Sequence, residues 1–229
     1  MKTKLTTTDI DQIKLFDVLS TFQREEILNN SSLYNFEKNE RIYGDSEDIK
    51  FVYLVREGSV KVGMNASNGK TLIKNIIYKG ELFGENIFTP MTQRSEFAEA
   101  LKTATVLKIP SYIFKKIVAS NHLFAQKITQ IIIQRLQNLE ERLQSFVFKK
   151  AKARIVDFIK KTATLKGVKI GIEEVLIHHG MSHKEIAYLT DTSRQTVARV
   201  LGELKNDKLI HFSPRKPSKI LIRNMMAFG

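Results

Sequence analysis

The segment Met181-Ser-His-Lys-Glu-Ile-Ala-Tyr-Leu-Thr-Asp-Thr-Ser-Arg-Gln-Thr-Val-Ala-Arg-Val-Leu-Gly-Glu-Leu204 constrains this chain more than any other. Ser182 and Glu185 are spaced as a capping box, in which a serine hydroxyl accepts from the third helical amide and a glutamate reaches back to the cap. A helix starts there, with Ile186, Ala187 and Leu189 on its apolar side. Asp191-Thr192 reads as a turn. Ser193 is the N-cap of a second helix, whose Val197, Val200, Leu201 and Leu204 recur at helical spacing. That spacing leaves Arg194, Gln195 and Arg199 facing outward near the N-terminus, the end that enters a DNA major groove in a helix-turn-helix. Arginine donates twice to guanine, and glutamine bonds adenine in two places. Ser182, Lys184, Ser193 and Thr196 are placed to hold phosphates, which position the helix without reading sequence. The alternative is a surface helix pair with solvated arginines, which requires neither the matched caps nor the charge that travels with them.

That charge is concentrated. The net charge is +13, and residues 149–229 carry 17 Lys/Arg against 7 Asp/Glu, so +10 of the excess sits with the motif. Such an imbalance fits a polyanion-binding module. Leu209-Ile-His-Phe212 and Ile220-Leu-Ile222, separated by a Pro-containing turn, read as a terminal hairpin and complete a winged helix-turn-helix. The chain has no cysteine, which excludes disulfides and cysteine-ligated zinc or iron–sulfur clusters. No apolar run approaches membrane-spanning length and no signal-peptide core follows Met1, so no membrane partner is expected and the expected location is cytoplasmic. Sequence patterns for phosphate-loop, zinc-hydrolase, serine-hydrolase and cysteine-nucleophile enzymes are absent, and the reading is that the chain is not an enzyme.

Upstream the character changes twice. Residues 1–35 read as helical and amphipathic, with Ile10, Ile13, Leu15, Phe16, Leu19, Phe22 and Ile27 apolar. From about Tyr34 to Pro110, β-rich runs (Tyr53–Val55, Ser59–Val62, Thr71–Tyr78, Ala104–Ile109) alternate with glycines, and Asn68-Gly69 is a hairpin signal. Short strands with regular turns predict a small antiparallel barrel or jelly roll. Residues 111–147 lack Gly and Pro and predict one long helix. Thr129, Ile132, Leu136, Leu139, Leu143 and Phe146 follow 3-4 spacing, a heptad seam suited to a homodimer interface. Lys149–Thr164 continues as a basic helix, and Val175-Leu-Ile177 is strand-like. The expected domains are 1–110, a β-barrel with N-terminal helices; 111–147, the dimer helix; and 148–229, the winged helix-turn-helix. The fold class is α+β.

With these residues in view, the chain resembles the Crp/Fnr superfamily of bacterial transcription regulators over nearly its whole length. Ser193-Arg-Gln-Thr-Val-Ala-Arg199 is similar to the family's recognition-helix pattern. Leu54-Val-Arg-Glu-Gly-Ser-Val-Lys-Val62 and Lys79-Gly-Glu-Leu-Phe-Gly-Glu85 resemble turns of its cyclic-nucleotide-binding barrel. The resemblance implies a jelly-roll sensor of the double-stranded β-helix type, a dimer helix and a winged helix-turn-helix output that acts on double-stranded DNA beside RNA polymerase. It aligns Arg194, Gln195 and Arg199 with base-reading positions. The enteric catabolite activator has Glu at Gln195, so base preference differs at that step.

Gly84-Glu85 and Arg94-Ser95 resemble the family's phosphate-binding cassette. Arg94 would pair with a cyclic phosphate, Ser95 and backbone amides would donate to it, Glu85 would accept from the ribose, and Gly84 would permit close approach. The simpler alternative is an Arg94–Glu85 pair that holds a loop. Counting back from Ala153-Arg-Ile155, Leu139 and Glu140 stand where the cyclic-AMP-binding activator has Thr-Ser against adenine, and leucine cannot hydrogen-bond a base. The resemblance therefore leaves open a cyclic nucleotide such as cyclic AMP, another small effector, or an empty barrel on a constitutive DNA-binding protein. Haem sensing is a further family option with His122 as ligand, but a lone histidine more often packs or faces solvent. His178, His179 and His183 cluster before the motif and read as polar surface residues; no metal site is expected.

Overall fold

The computed structural model describes residues 2–3, 5–69, 71–177, 181–212 and 219–224. The chain divides into two compact units, Met1–Gln134 and Arg135–Gly229.

The first unit opens with β1 (Lys2–Thr3), α1 (Thr7–Asp11), a 3-10 turn (Lys14–Phe16) and α2 (Thr21–Asn30). Both α-helices begin on capping boxes, Thr6 with Asp9 and Ser20 with Gln23. Then come β2 (Ser32–Phe36), β3 (Arg41–Tyr43), β4 (Phe51–Asn65), β5 (Thr71–Tyr78), β6 (Leu82–Phe83), a 3-10 turn (Glu85–Phe88) and β7 (Phe97–Pro110). The strands form one antiparallel sheet in which β4 and β7 pair from Phe51↔Pro110 to Gly63↔Phe97. β4 also takes β6 at its start and β5 at its end, while β7 takes β2 and β3. Successive side chains of a strand point to opposite faces, and here both faces are covered. Val52, Leu54, Leu107 and Ile109 pack with Ile10, Phe16, Ile27, Phe114 and Phe124 from the helical segments. Tyr53, Val55, Val60 and Val106 pack with Tyr43, Ile77, Phe83 and Ala98 on the other side. Double burial explains the nearly unbroken apolar run in the first half of β4.

Two expectations for this unit change. Residues 1–35 are not helical throughout: Ser31 turns extended and Ser32–Phe36 joins β7 as a strand, and Phe22 is 69% exposed. Residues 111–147 are not one helix. α3 (Ser111–Ser120) ends at Asn121, and α4 (His122–Phe148) starts afresh. Asn121 is extended, with Oδ1 accepting from the Phe124 amide (3.0 Å) and Nδ2 donating to Val18 O (3.0 Å) and Gln23 Oε1 (2.9 Å). A side chain that caps one helix and bonds a neighbouring loop competes with helix continuation.

The second unit contains the end of α4, then α5 (Ala151–Lys166), β8 (Gly167–Lys169), β9 (Val175–Ile177), α6 (His183–Leu189), α7 (Arg194–Asn206), β10 (Ile210–Phe212) and β11 (Ile220–Ile222). The basic helix is separate from α4: Lys150 is extended, and the freed Lys149 carbonyl accepts from Arg154 Nη1 (2.7 Å). The four strands order β10-β11-β9-β8, all antiparallel. Strand β8 has no counterpart in the sequence reading; the hairpin of β10 and β11 does. The tip of that hairpin, with its prolines, lies outside the described residues, as do His178 and His179. One core joins Ile155, Ile159, Val175, Ile177, Ile186, Val197, Val200, Leu201, Leu204, Ile210, Ile220 and Ile222. Among the described residues no helix is long and apolar enough to cross a membrane.

Gly58 sits inside β4 at φ +78°, where the register with β7 shifts, and a Cβ there would lie 2.1 Å from Thr103 O. Gly202 lies in α7 with open space around it. Substitution by alanine should therefore have opposite signs. In thermal denaturation, Gly58→Ala should lose about 2–4 kcal/mol through strain and overlap. Gly202→Ala should gain about 0.5–1 kcal/mol of helix stability.

Candidate nucleic-acid interface and ligand site

The helix pair forms as its caps dictate. Ser182 Oγ accepts from the Glu185 amide (3.2 Å), and Glu185 Oε2 accepts from the Ser182 amide (2.5 Å). Ser193 Oγ accepts from the Thr196 amide (3.0 Å) and lies 2.9 Å from Thr196 Oγ1. Each such cap is worth about 1 kcal/mol. Val197, Val200, Leu201 and Leu204 are fully buried, which fixes the rotation of α7 and leaves Arg194, Gln195 and Arg199 exposed. Ser182, His183, Lys184 and Arg194 line one open depression beside the start of α7. Ser182 and Ser193 accept their cap bonds at the hydroxyl oxygen and keep an O–H, with Ser193 and Thr196 sharing one such bond, so these hydroxyls, Lys184 and the first-turn amides together present donors to a phosphate.

Arg199 is held by Glu203 one turn on, and Glu203 also accepts Lys152 (3.0 Å). Lys152 first, and then Arg199, keep the Glu203 carboxyl below the usual carboxylate range. The i,i+4 spacing of Arg199 and Glu203 was the available signal for this pair. The contacts around the turn carried no such signal. Asp191 adopts φ +50°. Arg142, from α4, donates to both of its carboxylate oxygens (Nε–Oδ2 2.6 Å, Nη2–Oδ1 2.5 Å) and to Tyr188 O (3.1 Å). Arg154, from α5, donates to Thr190 O and Asp191 O, both at 2.9 Å. Partners separated by 36 to 49 residues are invisible to local pattern.

The heptad positions form an exposed apolar stripe, with the Arg154 guanidinium over the Phe146 ring. Ile132, Leu136, Leu139, Leu143 and Phe146 are 43–61% exposed, and Ile133, Val147 and Phe148 are exposed beside them. Earlier in α4, Phe124 and Ile128 are buried in the first unit's core. His122, the first residue of α4, is exposed.

In the first unit, Gly84 lies beside Tyr53 and Arg94, and Arg94 lies over Tyr43. Gly84 has φ +80°, and a Cβ on it would meet the Tyr53 ring at 3.0 Å and Arg94 Nη1 at 3.2 Å, so the guanidinium needs glycine there. Arg94 is 3% exposed. Its guanidinium carbon lies 3.9 Å from the Tyr43 ring centroid and 5.4 Å from that of Tyr53, and Nη2 donates to Phe51 O (2.6 Å). Nε and Nη1 are buried with no hydrogen-bond partner. No carboxylate pairs with Arg94 among the described residues, so the loop-holding Arg94–Glu85 pair does not form. Ser95 is exposed while Arg94 is buried, so the two cassette residues part company. Two residues on, buried Glu96 accepts from Tyr43 Oη (3.1 Å) and Lys74 Nζ (2.5 Å). Burial first, then the Glu96 charge, raises the Tyr43 hydroxyl well above the ordinary phenol range; burial pushes Tyr53 up to about 12. Both phenols stay neutral beside the cation. A buried guanidinium with two unused donors in an aromatic box is chemically suited to an anion. Among the described residues no group of His, Asp and Glu is arranged to hold a metal.

Comparison with known proteins gives two matched family models. Residues 33–121 match the cyclic nucleotide-binding domain, and residues 153–228 match the Crp-like helix-turn-helix domain. The cAMP-activated global transcriptional regulator CRP of Haemophilus influenzae is 23% identical over 209 residues, covering 89% of this chain and 92% of its own. The cyclic AMP receptor protein of Thermus thermophilus is 26% identical over 163 residues, 71% of this chain and 72% of its own. Among solved structures, a CooA variant from Carboxydothermus hydrogenoformans aligns with TM-score 0.75 at 22% identity, covering 91% of this chain and 88% of its own. FixK2 from Bradyrhizobium japonicum gives 0.72 at 22%, covering 86% and 95%.

The unpaired state of Arg94 makes a prediction about stability. Removing one half of a buried ion pair is strongly destabilising, whereas replacing an unpartnered buried cation by a similar apolar volume is not. Arg94→Met should leave the melting temperature unchanged or raise it, by up to about 2 kcal/mol of stability after loss of the Phe51 bond. A fall of more than about 3 °C, roughly 1 kcal/mol, would mean that Arg94 holds the box together.

Proposed function

This chain belongs to the Crp/Fnr family of transcription regulators, and from that premise we propose that it acts in the cytoplasm as a homodimer on near-palindromic DNA. In this reading Arg194, Gln195 and Arg199 read base edges, and Lys184, Ser182, Ser193 and Thr196 hold phosphates. The observation that carries it is the rotation of α7: four buried apolar residues turn both arginines and the glutamine outward at the capped end of the helix. The exposed seam through Ile132, Leu136, Leu139, Leu143 and Phe146 supports the dimer, because an exposed heptad stripe gains its burial from a second copy. Two recognition helices then address half-sites about 34 Å apart. The basic second unit supplies the salt-sensitive part of the affinity. RNA polymerase is the partner that turns such binding into transcriptional control.

The effector we propose is anionic and sits at Gly84, Glu85 and Arg94. A cyclic nucleotide places one negative phosphate and a ribose hydroxyl within reach of one guanidinium and one carboxylate, and relatives named as cAMP-activated support the class. Exposed Ser95 and apolar Leu139 favour a second reading, a constitutive regulator whose barrel is only a scaffold.

Two measurements test these statements. First, the wild-type protein should enrich a near-palindromic motif from a random duplex pool. Arg194→Ala should then weaken binding to that duplex by about 1–3 kcal/mol while leaving a scrambled duplex nearly untouched. Equal loss on both duplexes would remove the base-reading role. Second, calorimetric titration with cyclic AMP and cyclic GMP should show saturable heat that Arg94→Met abolishes. An absence of heat with either nucleotide removes the cyclic-nucleotide class and leaves another small effector or the constitutive reading.

A further inference from the structure

We infer that Arg142 is a positioning residue for DNA reading, because it fastens the turn that launches the recognition helix to the helix that carries the exposed seam. The inference rests on the DNA-reading role of α7 proposed above. It starts from a backbone problem. Where α6 stops, its last carbonyls have no amide further along the helix to accept from. Part of the deficit is met locally: the Thr190 amide donates to Ile186 O and the Thr192 amide to Ala187 O. The carbonyls of Tyr188, Thr190 and Asp191 are met instead by side chains from two other helices, Arg142 on the first and Arg154 on the other two. Cations at a helix C-terminus are also favoured by its dipole.

Arg142 does more than satisfy a carbonyl. Its planar fork meets the Asp191 carboxylate at both oxygens, a geometry that fixes direction as well as distance. The side chains are 21% and 17% exposed, so the pair is shielded from the screening that weakens surface ion pairs. Asp191 is two residues before Ser193, the N-cap of α7, and already holds a left-handed conformation. A displacement of Arg142 therefore reaches the first turn of α7, where Arg194 and Gln195 stand. Within α4, Arg142 lies between Leu139 and Leu143, both bare, and the Phe146 ring of the same stripe lies 5.1 Å from the Arg154 guanidinium. Both arginines that grip the turn are thus adjacent to the surface a second copy would cover. Covering the seam fixes the rotation of α4 and, through Arg142, the position of the turn.

A purely structural role would lower the melting temperature and leave DNA discrimination alone, so discrimination is the readout. Wild type, Arg142→Met, Arg142→Lys, Asp191→Gly and the Arg142→Met/Asp191→Gly double variant are compared by fluorescence anisotropy. The probes are the duplex enriched by wild type and its scrambled counterpart, at matched salt and well below each melting temperature. Glycine keeps the positive φ available, so Asp191→Gly removes the carboxylate without adding backbone strain. Each single variant should bind the enriched duplex about tenfold more weakly and the scrambled duplex within about twofold of wild type. Arg142→Lys keeps the charge but loses the fork, and should resemble Arg142→Met; being conservative, it also serves if the larger change does not fold. The double variant should be no worse than either single one, as expected when both remove one interaction. An unchanged ratio of enriched to scrambled affinity, parallel loss on both duplexes, or additive losses in the double variant would overturn the inference. A wild-type protein that enriches no motif would overturn the DNA-reading role itself, and this inference with it.

Discussion

A helix-turn-helix has to end one helix, reverse the chain and begin another between Thr190 and Ser193, and the second unit is organised around the carbonyls that this reversal strands. Buried carbonyls without donors cost about 1–3 kcal/mol each. Here the solution is tertiary: Arg142 and Arg154 reach in from α4 and α5. That requirement places α4 and α5 beside the turn, and the shared core of Ile155, Ile159, Ile186, Val197 and Val200 follows from the same arrangement. The small sheet of β8 to β11 closes the other side with Ile177, Ile220 and Ile222. With the turn held and the apolar face buried, the only side chains α7 can show at its start are polar.

The first unit solves a different problem. A single sheet that buries both faces must find apolar residues for alternate positions on each side, and β4 and β7 provide them over most of their length. Gly58 absorbs the irregularity where β4 slips against β7. The inner face carries tyrosines as well as aliphatics, with ring centroids 5.1 to 6.1 Å apart among Tyr43, Tyr53 and Phe83. Those rings give the buried Arg94 cation a favourable surface, worth about 2 kcal/mol when desolvated. They do not replace the hydrogen bonds its Nε and Nη1 lack.

Legibility followed the range of the interaction. The Ser182–Glu185 capping box, the apolar spacing of α7, the strand Thr71–Tyr78 and the heptad stripe are all set by residues within about seven positions of one another, and each was readable; the boxes at Thr6 and Ser20 have the same range and were not read. The break at Asn121 was not, because its Nδ2 partners, Val18 and Gln23, lie roughly a hundred residues upstream. The strand at Ser32–Phe36 reads as a continuation of a helix until its partner β7 is known. At the proposed ligand site, the sequence named Gly84, Glu85 and Arg94 but also Ser95, and pattern alone cannot say which of two adjacent residues is turned inward. Tyr43, Tyr53 and Glu96 went unnamed for the same reason: a buried aromatic looks like core until a charge is found against it. The Arg142 fork on Asp191 is the extreme case, since Asp191 reads only as part of a turn and Arg142 belongs to no motif.

Arg94 and Arg142 are the same side chain used in opposite ways, and the contrast bears on how a signal would be handled. Arg142 has a carboxylate on two oxygens and a carbonyl besides, so its surroundings are complete and resist change. Arg94 has one carbonyl, two aromatic faces and two idle donors, so its surroundings are incomplete and favour an added anion. A ligand shifts an equilibrium only by the difference in its affinity for the two states. A site that is under-satisfied in one conformation is a place where that difference can be large, because satisfying a buried cation is worth several times a surface contact. A fully satisfied junction has no such reserve, but it transmits position without slack. An incomplete arginine suits an input, and a complete one suits a mechanical link to the output. The division of the chain into two units assigns one to each.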